Sequence, residues 1–348
     1  MLAIKFPRLA AYLLCLCSLE FLSVKANAAW VDDTQSIMGT RISISFWHDS
    51  AAIAQRALAD GMAEMRRIDQ TLSPYIETSD LALLNKNAAS APQPISDELL
   101  FLVDKSLYYS RLSDGAFDIT FASLGWFYDY RNKLQPSVKQ RDELLPAINY
   151  KWLQLNAKQK TLRFLHPNVR IDLGGIAKGY AVDRVIGILK NYGVEHATVS
   201  AGGDSRVLGD KAGRPWMVGI KNPRDGGDEN AAPVIRLPLE NVAISTSGDY
   251  ERYFIDDNGH RVHHIINPKT GESASGLVSV TILGPEGADT DPLSTTVFVL
   301  GVEKGLALIN QLRGFDAILI DSKGTVFYSD GLQAPEPARE ASSASAAG

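Results

Sequence analysis

The chain has only two cysteines in 348 residues, Cys15 and Cys17, and both fall within its first 28 positions. A mature form lacking that segment holds none, which excludes disulfides, thiolate metal sites and a cysteine nucleophile even in an oxidising compartment. The apolar stretch Leu9 to Leu19 is closed by Glu20 and reaches about half of the roughly 20 residues a membrane span needs. Lys5 and Arg8 precede it and Ala26-Asn27-Ala28 follows it, so residues 1–28 read as a signal peptide and the protein is expected to be exported to the periplasm. Neither cysteine follows a small residue, as a lipid-attachment cysteine does, which argues against a lipid anchor. Positive charge is also in short supply. Losing three cations and one anion with the leader takes the formal charge from −5 to −7, which is not the balance of a nucleic-acid binder.

What is left, about 300 residues, is enough for one large domain or two intimately packed ones. Arg41 to Trp47 alternates Ile42, Ile44 and Phe46 with Arg41, Ser43 and Ser45, the period of a half-buried strand. Leu58, Met62, Met65 and Leu72 recur at helical spacing between Ala51 and Leu72, and Leu99, Leu100, Val103 and Leu107 do so after Ser96. Residues 132–170 look polar and irregular apart from strands near Trp152 and Leu162. A helix follows Ile176 and stops at Gly193, and a strand runs from Val194 to Ser200. Tyr250 to Ile266 reads as a hairpin around Asp257-Asn258-Gly259, and Val278 to Leu283 as a strand. One last helix is expected from Leu293 to Gln311, then a strand AILID and a turn at Ser322-Lys323-Gly324. Residues 332–348 carry too little apolar content to fold. No clear sequence repeat is visible, and interleaved strands and helices make the class α/β or α+β.

Several stretches bring chemistry-bearing residues together. In ADTDPLSTTVFVLG, residues 288–301, Asp291 reads as a helix N-cap with Pro292 at the first helical position. A cap needs one oxygen, however, and Asp289, Asp291, Ser294 and Thr295 supply several. Residues four apart share a helix face, so Asp291 and Thr295 are placed to offer a carboxylate and a hydroxyl to one hard cation. RIDLGGIAKGYAVD, residues 170–183, is a strand, a glycine pair and a helix start. It is either an ordinary strand-to-helix turn or a close approach to an anion, and Lys178 tips it toward the anion. Its glycine spacing fits neither a Walker loop nor a dinucleotide fingerprint. VSAGGDSRVLG repeats the device with Gly202-Gly203 and Asp204. HRVHHIINPKTG holds three of the six histidines, and adjacent His263 and His264 would point to opposite faces of a strand, so they cannot share one metal.

Taken in order, Met38-Gly39-Thr40, LSPYIETSDLALLN, DGAFDIT, IDLGGIAKGYAVD, SAGGD, STSGDY, HHIINPKTG and ADTDPLSTTVFVLG resemble the ApbE family of flavin transferases across nearly the whole mature chain. The resemblance implies a single domain over residues 29–331 with T-fold-like halves around a central FAD cleft. It implies Mg2+-dependent transfer of FMN from FAD to a threonine hydroxyl of an acceptor protein, with release of AMP. The acceptor would be a periplasmic domain or a membrane redox subunit exposed on that side. By resemblance Met38, Tyr75, Ala116, Phe117, Asp118, Asp172, Lys178 and Ile266 line the FAD site. Gly175 through its carbonyl, Asp291 and Thr295 would hold the metal with Ser294 as a helper, and His264 would be catalytic. Two positions depart from the family pattern: Pro292 stands for a small residue and Asn267 for an aspartate. Two other readings keep the same FAD contacts: a periplasmic FAD-binding or storage protein, and an FAD pyrophosphatase giving FMN and AMP.

Overall fold

The structure is a computed structural model that describes residues 29–225 and 232–333. The expected leader 1–28, and all but the first two residues of the expected tail 332–348, lie outside the described residues.

Eight antiparallel strands form one open sheet, and its order exposes a repeat that the sequence hides. Four strands in chain order, Ala29–Ile37, Thr40–His48, Ala197–Ala201 and Asp204–Leu208, make one half. Ala243–Gly248, Leu277–Gly284, Asp316–Asp321 and Val326–Tyr328 make the other. Each half carries a helix pair between its second and third strands: Ala51–Leu72 with Ala177–Asn191 in the first, Gly287–Leu300 with Val302–Ile309 in the second. The halves join where Asp204–Leu208 pairs with Ala243–Gly248, in a register that sets Ser245 opposite Asp204. This is the mixed α/β, two-half architecture expected.

Local chemistry explains the elements. Ile42, Ile44 and Phe46 are fully buried on one face of their strand, as the alternation requires. The strand turns back from its predecessor through the two-residue loop Met38-Gly39, both at positive φ, the geometry of a tight hairpin. Met62, Met65, Ile68 and Leu72 form the buried face of the long first helix. The helix predicted after Ser96 spans Asp97–Leu112 and is capped by the Ser96 hydroxyl. Leu277–Gly284 is buried at every position, being central and covered on both sides. One side meets the helices. The other meets a smaller cluster of Val207, Ile244, Leu283 and Trp216 beneath the hairpin Trp216–Ile220 and Ile235–Leu239.

Four expectations need correction. The stretch ahead of Gly174-Gly175 is not a strand, because the Ile171 backbone bonds to the Asn85 side chain and the Asp172 N–H donates to the Ile119 carbonyl, with no strand partner among the described residues. The last helix is two, because Gly301 at φ 79 breaks the path between Gly287–Leu300 and Val302–Ile309. Asp291 is not a cap and Pro292 is not a first helical residue, since the helix opens at Gly287 and both lie inside it. The opening comes early because the cap is supplied from another helix: the Asp183 carboxylate accepts from the N–H groups of Gly287 and Ala288, both at 2.9 Å. The stretch 132–170 also contains a helix, Val138–Leu144, held by a capping box between Ser137 and Gln140. It buries no residue and so leaves no hydrophobic period to read.

Candidate active site

The site is built where the helix Ala177–Asn191 of the first half crosses the helix Gly287–Leu300 of the second. Gly179 and Gly287 meet backbone to backbone: a Cβ on Gly179 would overlap the Gly287 carbonyl and stand 2.7 Å from the Asp291 Cβ. That approach lets Asp291 Oδ2 accept from the Gly179 N–H at 3.0 Å. Lys178, one residue earlier, donates to Asp204 Oδ2 at 2.5 Å and lies 3.7 Å from Asp291 Oδ2. Asp204 arrives from the strand where the two halves join. Thr295, one turn beyond Asp291, lies beside Gly175, with its Oγ1 3.6 Å from where a Cβ on Gly175 would be. Ser247 closes the group, 2.8 Å from Ser294 Oγ and 3.4 Å from Thr295 Oγ1.

The electrostatics follow from burial. Asp291 is 3% exposed. Burial, with the Asp204 charge beside it, pushes its carboxyl up to about 7, against the pull of Lys178 and the Gly179 N–H. Burial works against the Lys178 charge, but Asp204 and Asp291 together outweigh it and hold the ammonium above its ordinary range. Two carboxylates against one ammonium leave excess negative charge in a buried place, lined further by the hydroxyls of Thr295 and Ser247. Hard divalent cations take such oxygen sets, so the residues fit a Mg2+ ion. No group of three or more His, Cys, Asp or Glu residues placed to hold a metal gathers among the described residues, the cradle included, so its fit to a cation depends on hydroxyl and main-chain oxygens beside the carboxylates.

His264 follows the hairpin of Tyr253–Ile255 and Arg261–His263, near enough to the cradle for the Lys178 charge to act on its ring. Its N–H donates to the Arg252 carbonyl, and its ring Nδ1 is buried with no hydrogen-bond partner. Burial, then Arg252, His263 and Lys178, lower its pKa to about 3. The neighbouring His263 turns inward, donating from Nε2 to the Ala274 carbonyl at 2.8 Å and packing on Phe298. The two rings therefore diverge, as strand geometry demands.

The remaining predicted residues rim this centre unequally. Phe117 packs against Gly175, its Cε2 3.1 Å from where a Cβ on Gly175 would be. Ala116 precedes it, buried. Asp172 accepts from Gly174 N–H at 2.6 Å. Burial raises its pKa against that N–H and the charges of Arg252 and Lys178. Tyr75 is 71% exposed and stacks on Trp126 at 5.4 Å, with Arg170 over the far ring. Met38 sits in its positive-φ turn and donates its N–H to Asp69, while Ile266 is buried and bridges to Ser273. Asp118 is different. Its carboxylate is consumed by the Thr120 N–H and hydroxyl and by the Tyr150 N–H, and its carbonyl accepts from the Phe121 N–H. Ser294 is similarly committed, donating to the Asp291 carbonyl at 2.8 Å. Asn267 folds onto the Lys269 N–H in a tight turn. Sequence reasoning did not assign Asp204, Ser247 or Arg252, although the first two stood inside SAGGD and STSGDY. A shallow depression lined by Arg67, Glu98, Phe101 and Tyr180 lies apart from the cradle and shares no residue with it.

Fold and site together define a mixed α/β protein whose two similar halves clasp an oxygen-lined, cation-attracting cradle at their seam. The ApbE family model matches residues 38–319, and the chain belongs to that family. An FAD:protein FMN transferase of Treponema pallidum is 29% identical over 343 residues, 93% of this chain and 94% of its own. A Vibrio cholerae protein of the same name is 32% identical, covering 78% and 81%. The crystal structure of the ApbE protein of Thermotoga maritima has a TM-score of 0.77 at 33% identity, over 87% of this chain and 98% of that one.

Proposed function

We propose that the chain is an FAD:protein FMN transferase that moves FMN from FAD onto a threonine hydroxyl of an acceptor protein. The observation that carries the reading is the convergence of Lys178, Asp204, Asp291, Thr295 and Gly175 from both halves, with the buried, unpartnered His264 Nδ1 near enough to feel the Lys178 charge. Gly175 through its carbonyl, Asp291 and Thr295 would hold a Mg2+ ion, which when bound withdraws charge from the phosphoryl oxygens and the leaving group. Met38, Tyr75, Ala116, Phe117, Asp118, Asp172 and Ile266 frame the dinucleotide.

His264 takes the proton of the incoming hydroxyl. The hydroxyl oxygen forms a bond to the phosphorus of the FMN half, and the bond from that phosphorus to the bridging oxygen breaks, its electron pair leaving with AMP. The acceptor for the hydroxyl proton is the buried Nδ1 of His264, which no group among the described residues engages. Export, supported by the leader-like residues 1–28, would place acceptors among periplasmic domains or membrane redox subunits exposed there.

One assay tests the reading. With FAD, Mg2+ and a threonine-bearing acceptor, flavin fluorescence should stay on the acceptor band after denaturation, and should vanish when the metal is omitted. Free FMN with an unlabelled acceptor would make the protein a pyrophosphatase, and intact FAD would make it a binding protein.

A further inference from the structure

We propose that Arg252 is the side chain that meets the FAD diphosphate, and that Lys178 serves instead to hold Asp204 and Asp291 together. The inference rests on the FAD-binding part of the proposed function. Lys178 looks from sequence like the anion-binding cation, but its ammonium is already engaged by two carboxylates at 2.5 and 3.7 Å. A cation outnumbered by carboxylates has little attraction left for a phosphate.

Arg252 stands differently. Its carbonyl accepts from the His264 N–H, which sets the two residues opposite one another just beyond the paired Tyr253 and His263. Opposed residues of an antiparallel pair share a face, so the guanidinium and the imidazole serve the same side of the hairpin. The guanidinium reaches across to the Met38-Gly39 turn, where Nη2 lies 3.7 Å from the position of a Cβ on Gly39. It is exposed and makes no ion pair among the described residues. Its neighbours Arg224 and Arg261 are both taken up by Asp249. Arg252 is thus a planar, permanently charged donor beside the reacting histidine, against the Met38-Gly39 turn and near enough for its charge to act on Asp172 and Lys178. A guanidinium fork is suited to two oxygens of a diphosphate where a lone ammonium is not.

The test is binding rather than turnover. Wild type, Arg252→Met and Arg252→Lys are titrated, with Mg2+ present, against FAD, against ADP as a diphosphate without flavin, and against riboflavin as a flavin without phosphate. Arg252→Met should weaken FAD and ADP roughly ten- to a hundredfold, leave riboflavin unchanged and flatten the salt dependence of FAD binding. Arg252→Lys should recover only part of the loss. FAD and ADP affinities within twofold of wild type, or an equal loss for riboflavin, would overturn the assignment. Should the wild type bind FAD in this pattern yet label no acceptor, the transferase reading falls while the role of Arg252 stands.

Discussion

At the scale of single residues, the Asp291 carboxyl sets the most direct expectation. Its pKa is raised in the fold, from 3.8 to about 7, by burial and by Asp204, so a proton competes with any cation there. Apparent Mg2+ affinity should rise with pH by up to about tenfold per unit below 7 and level off above it; a flat profile from pH 5 to 8 would contradict the assignment. The stability consequence has a fixed sign. A carboxyl easier to protonate when folded favours the fold below its unfolded pKa, and that contribution is lost as pH climbs from about 4 through about 7. Without divalent ions the melting temperature of the wild type should therefore fall relative to Asp291→Asn across that window. His264 makes the opposite kind of prediction. Because burial and Arg252 hold it near 3, no activity limb near pH 6.5 should belong to it. His264→Asn should slow transfer by about 10²–10⁴-fold while leaving FAD affinity and the position of the acid limb unchanged.

At the scale of elements, the site depends on two helices touching without side chains between them. Gly179→Ala places a methyl group into the Gly287 carbonyl, and overpacking of this kind costs ~1–3 kcal/mol or more. The variant should lose both thermal stability and Mg2+ affinity, as seen by Mn2+ paramagnetic resonance. Asp183→Ala removes the cap from the Gly287 helix, an effect of ~0.5–2 kcal/mol. Its melting temperature should drop by a few degrees, and its Mg2+ requirement should rise more than its FAD requirement, because the freed helix start carries Asp291 and Thr295. Equal losses for both ligands would mean that Asp183 acts on the fold alone. The sequence could not show this clamp. Asp291-Pro292 satisfies every local rule for a helix start, and the rule fails only because a carboxylate 104 positions away in the chain caps the helix earlier.

At the scale of the whole molecule, each half alone lacks a site. Lys178, Gly175 and Asp204 belong to the first, and Asp291, Thr295, Ser247 and His264 to the second. The halves should therefore unfold together: a thermal melt should show one transition, and FAD with Mg2+ should move it upward as a unit. At a hundred times the dissociation constant the gain is ~2.7 kcal/mol, a shift of several degrees. Two transitions of which only one responds to ligand would show that the halves are energetically separate.

The sequence by itself determined the elements whose cause is local. The alternation of Ile42, Ile44 and Phe46, the helical spacing of Met62, Met65 and Leu72, and the Ser96 cap each carry their signal within a few residues. It also determined which stretches hold the chemistry, because the glycine pairs, Asp291 with Thr295, and the opposed histidines obey short-range geometry. Only the tertiary structure decided the repeat of the two halves, whose match lies in strand order while their residues differ. It alone decided that Asp118 and Ser294 spend their side chains on their own chain, that Lys178 pairs with Asp204, and that Arg252 makes no ion pair among the described residues. Those outcomes depend on which charges burial brings together from distant parts of the chain, and no spacing along the chain encodes a distance through space.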